Sequence, residues 1–179
     1  GSAKGYEVIA DSSTTHKSGL YAAVGLTSTN RAVAVWYDAA NAKLIYSYRD
    51  MGGAYTEPTE SNRFTNAWQD NAVEIDGDAP LYVDLVVDDE NGLHIGYYSS
   101  GKGGVKYAYL APEKVMGSTK PTTADFKIAT VDTYMNPGTL LKIGVRRETI
   151  NSVQKQVPYI SYYHNGFYGS KNAARMAWL

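Results

Sequence analysis

The feature that most constrains this chain is an internal repeat, whose clearest copy runs from Val73 to Leu110. This copy predicts a short strand that ends at Asp76, followed by three strands at residues 81–87, 93–98 and 105–110. The connecting segments contain Asn-Gly and Gly-Lys-Gly-Gly, which supply the positive φ angles that tight hairpins require. The copy is therefore predicted to form a four-stranded antiparallel unit.

Two further copies flank the middle one along the chain. The first contains GLYAAVGL and AVAVWYDAANAKLIYSY, and the third contains GTLLKIGV and VPYISYYHNG. Tyr37, Tyr98 and Tyr163 hold equivalent positions in the three copies. The repeat predicts one all-β domain over residues 1–179, with units at roughly 6–51, 52–113 and 114–179.

The side-chain pattern of the third strand in each unit selects an architecture. In the middle copy Ile95 and Tyr97 point to one face of the sheet, while His94, Gly96 and Tyr98 point to the other. Both faces carry apolar or aromatic residues, as expected of a sheet that lies between two other sheets. Radially packed four-stranded blades of a β-propeller have this arrangement, and we expect His94 to be a packed or hydrogen-bonded core residue.

The stretch YVDLVVDDENGLHIGYYSSGKGGVKYAYL, with Trp68 and VEIDG upstream, resembles the blade repeats of bacterial sialidase-like β-propeller proteins. VPYISYYHNG and AVAVWYDAANAKLIYSY are similar to the same blade hairpin, so the resemblance covers nearly the whole chain. It implies a propeller scaffold. The Asp-box pattern of sialidases, Ser-x-Asp-x-Gly-x-Thr-Trp, is absent. No catalytic residue is therefore assigned from the resemblance.

Three units are too few for a closed ring, because propellers typically have four to eight blades. The sequence predicts an outer strand at Tyr6–Ala10 before the first unit, and a last unit that ends on its third strand at Met176–Leu179. Two alternatives follow. In the first, two copies complete a six-bladed ring by exchanging the N-terminal strand; in the second, the chain is part of a longer propeller whose remainder is missing.

Charge and composition restrict the partners. Seventeen Lys and Arg against 18 Asp and Glu provide no basic footprint for nucleic acid. The chain has no cysteine, which excludes a disulfide scaffold, a thiol nucleophile and a cysteine-ligated metal site. No stretch approaches the roughly 20 apolar residues of a membrane span. We expect no cofactor and no resident metal, and an extracellular, periplasmic or cell-surface location.

Candidate ligand-binding residues come from two places in the repeat. The alignment puts Asp84 and Lys142 near the propeller axis, with Arg146 further along the same strand as Lys142. Asp84 is expected either to line a pocket or bind an ion, or to have a structural role as a solvated channel residue or as the partner of Lys142. The second place is the long last hairpin, where His164, Phe167 and Tyr168 are predicted to lie in an extended loop that contacts a ligand.

Two other groups have structural explanations. The three histidines, His16, His94 and His164, lack metal-ligand spacing. The acidic run Asp88–Glu90 before Asn91-Gly92 is predicted to be an exposed hairpin turn, because it lacks the spacing of an EF-hand calcium loop.

These patterns favour a non-catalytic binding or interaction module that recognises glycan or protein through loops or the axial opening. One alternative is a sialidase-like glycoside hydrolase or lyase, which requires carboxylates, tyrosine and arginine clustered around the axis. The other is a structural subunit of a larger assembly.

Overall fold

The chain folds into antiparallel β-sheet, which confirms the predicted all-β class. The computed structural model describes residues 9–10, 19–51, 67–133, 137–166 and 171–179. The eleven strands of this part are β1 (Gly19–Leu26), β2 (Arg31–Asp38), β3 (Lys43–Asp50), β4 (Val73–Asp76), β5 (Pro80–Val87), β6 (Leu93–Ser99), β7 (Gly104–Leu110), β8 (Lys127–Asp132), β9 (Pro137–Ile150), β10 (Val153–Gly166) and β11 (Lys171–Trp178).

Two one-turn α-helices accompany the strands in the described ranges: α1 (Ala67–Asp70) and α2 (Pro112–Val115). A short 3₁₀ turn at Thr123–Asp125 precedes β8. None of the helices in these ranges is long and apolar enough to cross a membrane.

The strands form three sheets that follow the repeat. The first has the order β1-β2-β3-β4, the second β5-β6-β7-β8, and the third β11-β10-β9. The short strands β4 and β8 pair with β3 and β7, so each closes the sheet of the copy before it. A sheet is thus offset by one strand from the repeat unit in the sequence. Among the described residues the third sheet has three strands and lacks a closing strand of this kind.

The second sheet is packed between the other two. Val33 and Leu44 of the first sheet share a buried cluster with Leu93 and Ile95 of the second. On the opposite face of the second sheet, Val105 packs with Leu141 and Ile160 of the third sheet. The prediction that both faces of the middle copy are buried is therefore correct for the part of the sheet around these residues.

The backbone itself repeats in the innermost strand of each sheet. Tyr21, Tyr82 and Leu140 have φ angles of 52°, 50° and 53°, which non-glycine residues adopt uncommonly. The pairing register shifts next to the first two of these residues, as at a β-bulge. These three positions align β1, β5 and β9 residue by residue, so that Ala23, Asp84 and Lys142 are equivalent.

A polar cluster also repeats between neighbouring sheets. Asp76, the last residue of β4, accepts a hydrogen bond from Tyr97 Oη at 2.7 Å and one from Lys106 Nζ at 2.7 Å. We call this the first inter-sheet cluster. In the second inter-sheet cluster, Asp132 at the end of β8 accepts bonds from Tyr162 Oη at 2.6 Å and Arg175 Nη1 at 2.5 Å. A closing-strand aspartate thus binds a tyrosine and a cation of the following sheet at both interfaces.

Candidate functional site

An open groove of about 490 Å³ lies beside the second sheet, where the long β9–β10 hairpin extends past it. Its floor is formed by Asp88, His94 and Tyr107 of the second sheet. Tyr109 and Ile128 line the groove from the same sheet, and Gln154 and Gln156 line it from β10. The groove therefore combines aromatic surface with hydrogen-bonding amide groups.

The floor is a continuous hydrogen-bonded chain. His94 Nε2 lies 2.9 Å from Asp88 Oδ2, and His94 Nδ1 lies 2.7 Å from Tyr107 Oη. An ionised carboxylate only accepts hydrogen bonds, so in the neutral imidazole Nε2–H donates to Asp88. Nδ1 then accepts the bond that the Tyr107 hydroxyl donates. This assignment follows from the partners and fixes the orientation of all three groups.

The turn at Asp88–Gly92 holds the carboxylate in place. Asp88 Oδ1 accepts the backbone N–H of Glu90 at 2.8 Å and of Gly92 at 2.7 Å. A Cβ atom at position 92 would lie 2.6 Å from Asp88 Oδ2, so this position requires glycine. The turn predicted from Asn-Gly is present, but the prediction that Asp88 is exposed in it is wrong. Its side chain is only 2% exposed, because it binds these two N–H groups and His94.

Burial keeps the His94 imidazole and the Tyr107 phenol uncharged. Burial lowers the pKa of His94, and the hydrogen bond and charge of Asp88 oppose this effect only in part. Burial also raises the pKa of Tyr107 well above its ordinary value, with smaller contributions from Tyr109 and Asp88. At neutral pH the phenol stays protonated and the imidazole uncharged.

The first sheet shows that the repeat folds without this chain of hydrogen bonds. By the alignment of the bulges, Asp88 and His94 correspond to Thr27 and Val33. Thr27 Oγ1 accepts the backbone N–H of Arg31 at 3.0 Å, so the equivalent turn forms with a hydroxyl. Val33 is fully buried in the apolar core. A buried imidazole paired with a carboxylate is therefore a feature of the second sheet and not a requirement of the fold.

The hairpin wall is attached to the same turn by charged groups. Arg147 Nη2 lies 2.9 Å from Asp89 Oδ2 and 3.4 Å from Glu90 Oε1. The Gln156 side-chain amide donates to Asp89. All of these groups are substantially exposed except the partly buried Gln156, so each contact adds little stability alone. Together they orient the β9–β10 hairpin over the groove.

The axial candidates behave as a pair. Lys142 Nζ lies 3.4 Å from Asp84 Oδ1, and Asp84 Oδ2 accepts the backbone N–H of Ile143 at 3.0 Å. Asp84 therefore connects β5 to β9, as in the pairing alternative. Arg146 is largely exposed and its Nε lies 3.9 Å from Glu148 on its own strand.

The candidates of the last hairpin lie elsewhere than expected. His164 was predicted in an extended loop, and this placement is wrong: it belongs to β10, pairs in register with Ala173, and is completely buried. The strand pairing of the hairpin continues as far as His164, so its side chain is buried instead of lying in a loop. Phe167 and Tyr168 lie outside the described residues.

The sequence missed the groove because its parts are distant along the chain. His94 was predicted to be packed or hydrogen-bonded, and this is confirmed by its 2% exposure and its two partners. The sequence signal for this site was His94, which lies on the same strand face as Gly96 and Tyr98 and follows Asp88 by six residues. The contribution of Tyr107 depends on strand register, and that of Gln154 on a hairpin longer than the repeat predicts.

Comparison of the chain with protein-family models, with curated proteins and with solved structures finds no match.

The lowered pKa of His94 predicts a pH dependence of stability. The unfolded state, with a histidine pKa of about 6.5, binds more protons than the folded state once the pH falls below that value. The free energy of unfolding should therefore fall as the pH is lowered from 7.5 to 5, and His94→Gln should remove part of this fall. Urea unfolding of both proteins at each pH measures the difference. Equal falls in the two proteins would show that His94 does not contribute.

Proposed function

We propose that the chain is a non-catalytic binding module that takes a glycan into the groove beside the second sheet. The observation that carries this proposal is the Asp88–His94–Tyr107 chain at the groove floor, where the first sheet has only Thr27 and Val33 at the equivalents of the first two residues. Buried polar groups without a structural need are typical of a site that orients a ligand.

The chemistry of the walls favours a sugar. Tyr109 is half-buried, with its ring 5.0 Å from that of His94, and presents an aromatic surface on which a sugar ring can pack. Gln154 and Gln156 bring amide donors and acceptors to the opposite wall. A volume of about 490 Å³ lies within the range of small-ligand sites, roughly 300–1,000 Å³. One or two sugar residues fit such a space.

The hydrolase alternative receives less support. A glycosidase needs two carboxyl groups roughly 5–10 Å apart that are available to the sugar. Asp88 and Glu90 both line the groove, but Asp88 is occupied by His94 and by two backbone N–H groups. The Tyr107 hydroxyl is engaged as well, because it donates to His94 Nδ1.

The proposal includes the sialidase-like propeller scaffold that the sequence resembles, with each sheet as one blade. In this proposal three blades make half of a six-bladed ring, which a second copy or the remainder of a longer chain completes. An exported location remains a prediction from composition.

Saccharide binding by the Tyr109→Ala variant tests the proposal. Wild-type protein is applied to a panel of immobilised neutral and acidic oligosaccharides, and the best ligand is then titrated in solution by NMR. Loss of the aromatic wall should weaken binding by about tenfold. Tyr37→Ala, which truncates a half-buried tyrosine of the first sheet, should bind as wild type does. No binding to any saccharide, or equal binding by the Tyr109 variant, would overturn the proposal.

A further inference from the structure

Each end of the three-sheet stack exposes an apolar sheet face. The first-sheet outer face includes Val24 and Leu26, which are 67% and 62% exposed. Their strand partners Ala34 and Ala32 lie on the same face, opposite the side that packs on the second sheet. The third-sheet outer face includes Met176 and Trp178, which are 61% and 67% exposed. Large apolar side chains concentrated on one sheet face are typical of an interaction surface.

The interface between the first and second sheets shows how such faces fit. A Cβ atom placed on Gly25 of β1 would lie 2.8 Å from Leu85 Cδ1 and 3.0 Å from Val87 Cγ2. Because Gly25 has no side chain, it leaves a space that Leu85 and Val87 of β5 occupy. Such contact excludes any larger residue at this position unless its neighbours move.

The glycine space and the side chains that fill it recur at the two ends of the stack, one at each end. Alignment on the bulges makes Gly144 of β9 equivalent to Gly25, and makes Val24 and Leu26 of β1 equivalent to Leu85 and Val87. Among the described residues, nothing lies within 4 Å of a Cβ atom placed on Gly144. The third-sheet outer face therefore has the receiving space, and the first-sheet outer face has the side chains that would insert.

Residues 9–10 add a second correspondence. In the two-sheet interface, Ile75 of the closing strand β4 is part of the apolar cluster between the first and second sheets. Ile9 and Ala10 pack against the buried cluster on the first-sheet outer face that includes Ala34 and Trp36. Gln69 Nε2 donates to the Ile9 carbonyl at 2.7 Å and holds this segment there. The segment thus occupies the place of a closing strand from a preceding sheet, while the third sheet lacks a closing strand in the described residues.

We infer that the third-sheet outer face of one copy packs on the first-sheet outer face of a second copy. This rests on the proposed blade architecture. The two faces cannot meet within one chain, because the second sheet lies between them. In the complex, Val24 and Leu26 insert over Gly144 of the second copy, and residues 9–10 lie beside β11 of that copy.

The stoichiometry follows from the type of contact. The two faces differ, so the contact is heterologous and every copy offers one face of each kind. Two copies bring six sheets together and use all four faces, and six is within the four to eight blades of closed propellers. A third copy would give nine sheets. The arrangement is therefore a closed dimer with two equivalent interfaces.

Solution mass by light scattering after size exclusion tests the dimer. The 179-residue chain should have twice its chain mass of 19.6 kDa. Gly144→Leu fills the receiving space and Leu26→Lys places a charge on the inserting face, so each variant alone should have the mass of one chain. Neither position is packed within the chain as Gly25 is, so circular dichroism and the thermal midpoint should stay close to those of wild type.

Mixing the two variants distinguishes this interface from others. The Gly144→Leu protein keeps an intact first-sheet outer face, and the Leu26→Lys protein keeps an intact third-sheet outer face. An equimolar mixture should therefore recover a dimer through one intact interface, weaker than the wild-type dimer. A symmetric contact that uses one face twice would not be rescued in this way.

Three results would overturn the inference. They are a wild-type mass of one chain, which would leave the two faces to be covered by the rest of a longer chain; a dimer that neither substitution affects; and open-ended polymers.

Saccharide binding by the monomeric variants distinguishes failure of the dimer interface from failure of the proposed function. The groove lies between the second and third sheets of one chain, so binding that survives loss of the dimer supports the groove alone. A dimer that binds no saccharide supports the interface alone.

Discussion

Asp76→Ala should destabilise the protein by about 3 kcal/mol, because the buried Tyr97 hydroxyl loses its acceptor and Lys106 loses one of its two carboxylate partners. Lys106 has a side chain 10% exposed and Tyr97 is fully buried, and both donate to Asp76. Burial lowers the pKa of Lys106, but the hydrogen bonds of Asp76 and Asp78 outweigh it, so that the pKa is raised overall. When Asp76 is removed, Lys106 loses the larger of these two favourable contributions and keeps its pair with Asp78. Urea unfolding followed by circular dichroism measures the loss.

The second inter-sheet cluster provides the matched control. Asp132→Ala removes the equivalent carboxylate, but the Arg175 side chain is 34% exposed and can be hydrated in its place. We expect a loss of roughly 1–2 kcal/mol. Adding Lys106→Met to Asp76→Ala should recover part of the lost stability, since it removes a buried charge that has lost one of its two carboxylate partners. Equal losses for the two aspartates, or no recovery with methionine, would contradict this explanation.

Gly138→Ala should lower the free energy of unfolding by about 2–4 kcal/mol, for two reasons that add. The residue has a φ of 115°, a region that favours glycine. Its added methyl group would also lie 2.7 Å from Tyr98 Cδ2 and 2.8 Å from Val105 Cγ2, on the face of the second sheet that packs against the third. The clash therefore opens the interface between these two sheets. Chemical unfolding monitored by near-UV circular dichroism of the tyrosines reports the effect.

Gly166 separates the two contributions. It also has a positive φ, 85°, but in the part of the chain that the structure describes nothing lies within 4 Å of its added methyl group. Gly166→Ala should therefore cost only the backbone strain, about 1–2 kcal/mol. A Gly138 variant no less stable than the Gly166 variant would show that the tyrosine and valine move aside without cost.

The sequence was sufficient for the strands of the middle repeat. Turn residues at Asn91-Gly92 and at 101–104 bracket runs of alternating apolar residues. The observed strands β5, β6 and β7 all begin and end within one residue of the predicted ends. Local chemistry decides such boundaries. It does not decide the backbone at Tyr21, Tyr82 and Leu140, where side chains that disfavour positive φ adopt it because packing between sheets requires the bulge.

The candidate site was harder to predict than the fold. The Asp84–Lys142 pair follows from the repeat alignment alone, since equivalent positions of adjacent inner strands lie side by side. The groove depends on where β10 begins: the strand was expected near Val157 but starts at Val153, and the added residues form the wall. Exposed polar residues such as Gln154 carry no periodic signal that would place them in a strand.

The offset of one strand between repeat unit and sheet affects how the molecule responds to gene duplication and to chain cleavage. Because β4 and β8 follow the first three strands of their sheets only after a long connection, as at 51–72 and 111–126, each four-stranded sheet is assembled from two adjacent sequence units. Duplicating one unit would lengthen the stack while leaving every sheet fastened to its neighbour by continuous chain. Cleavage between units would separate β4 or β8 from the other strands of its sheet, so the repeats can be copied individually but cannot be cut apart without cost.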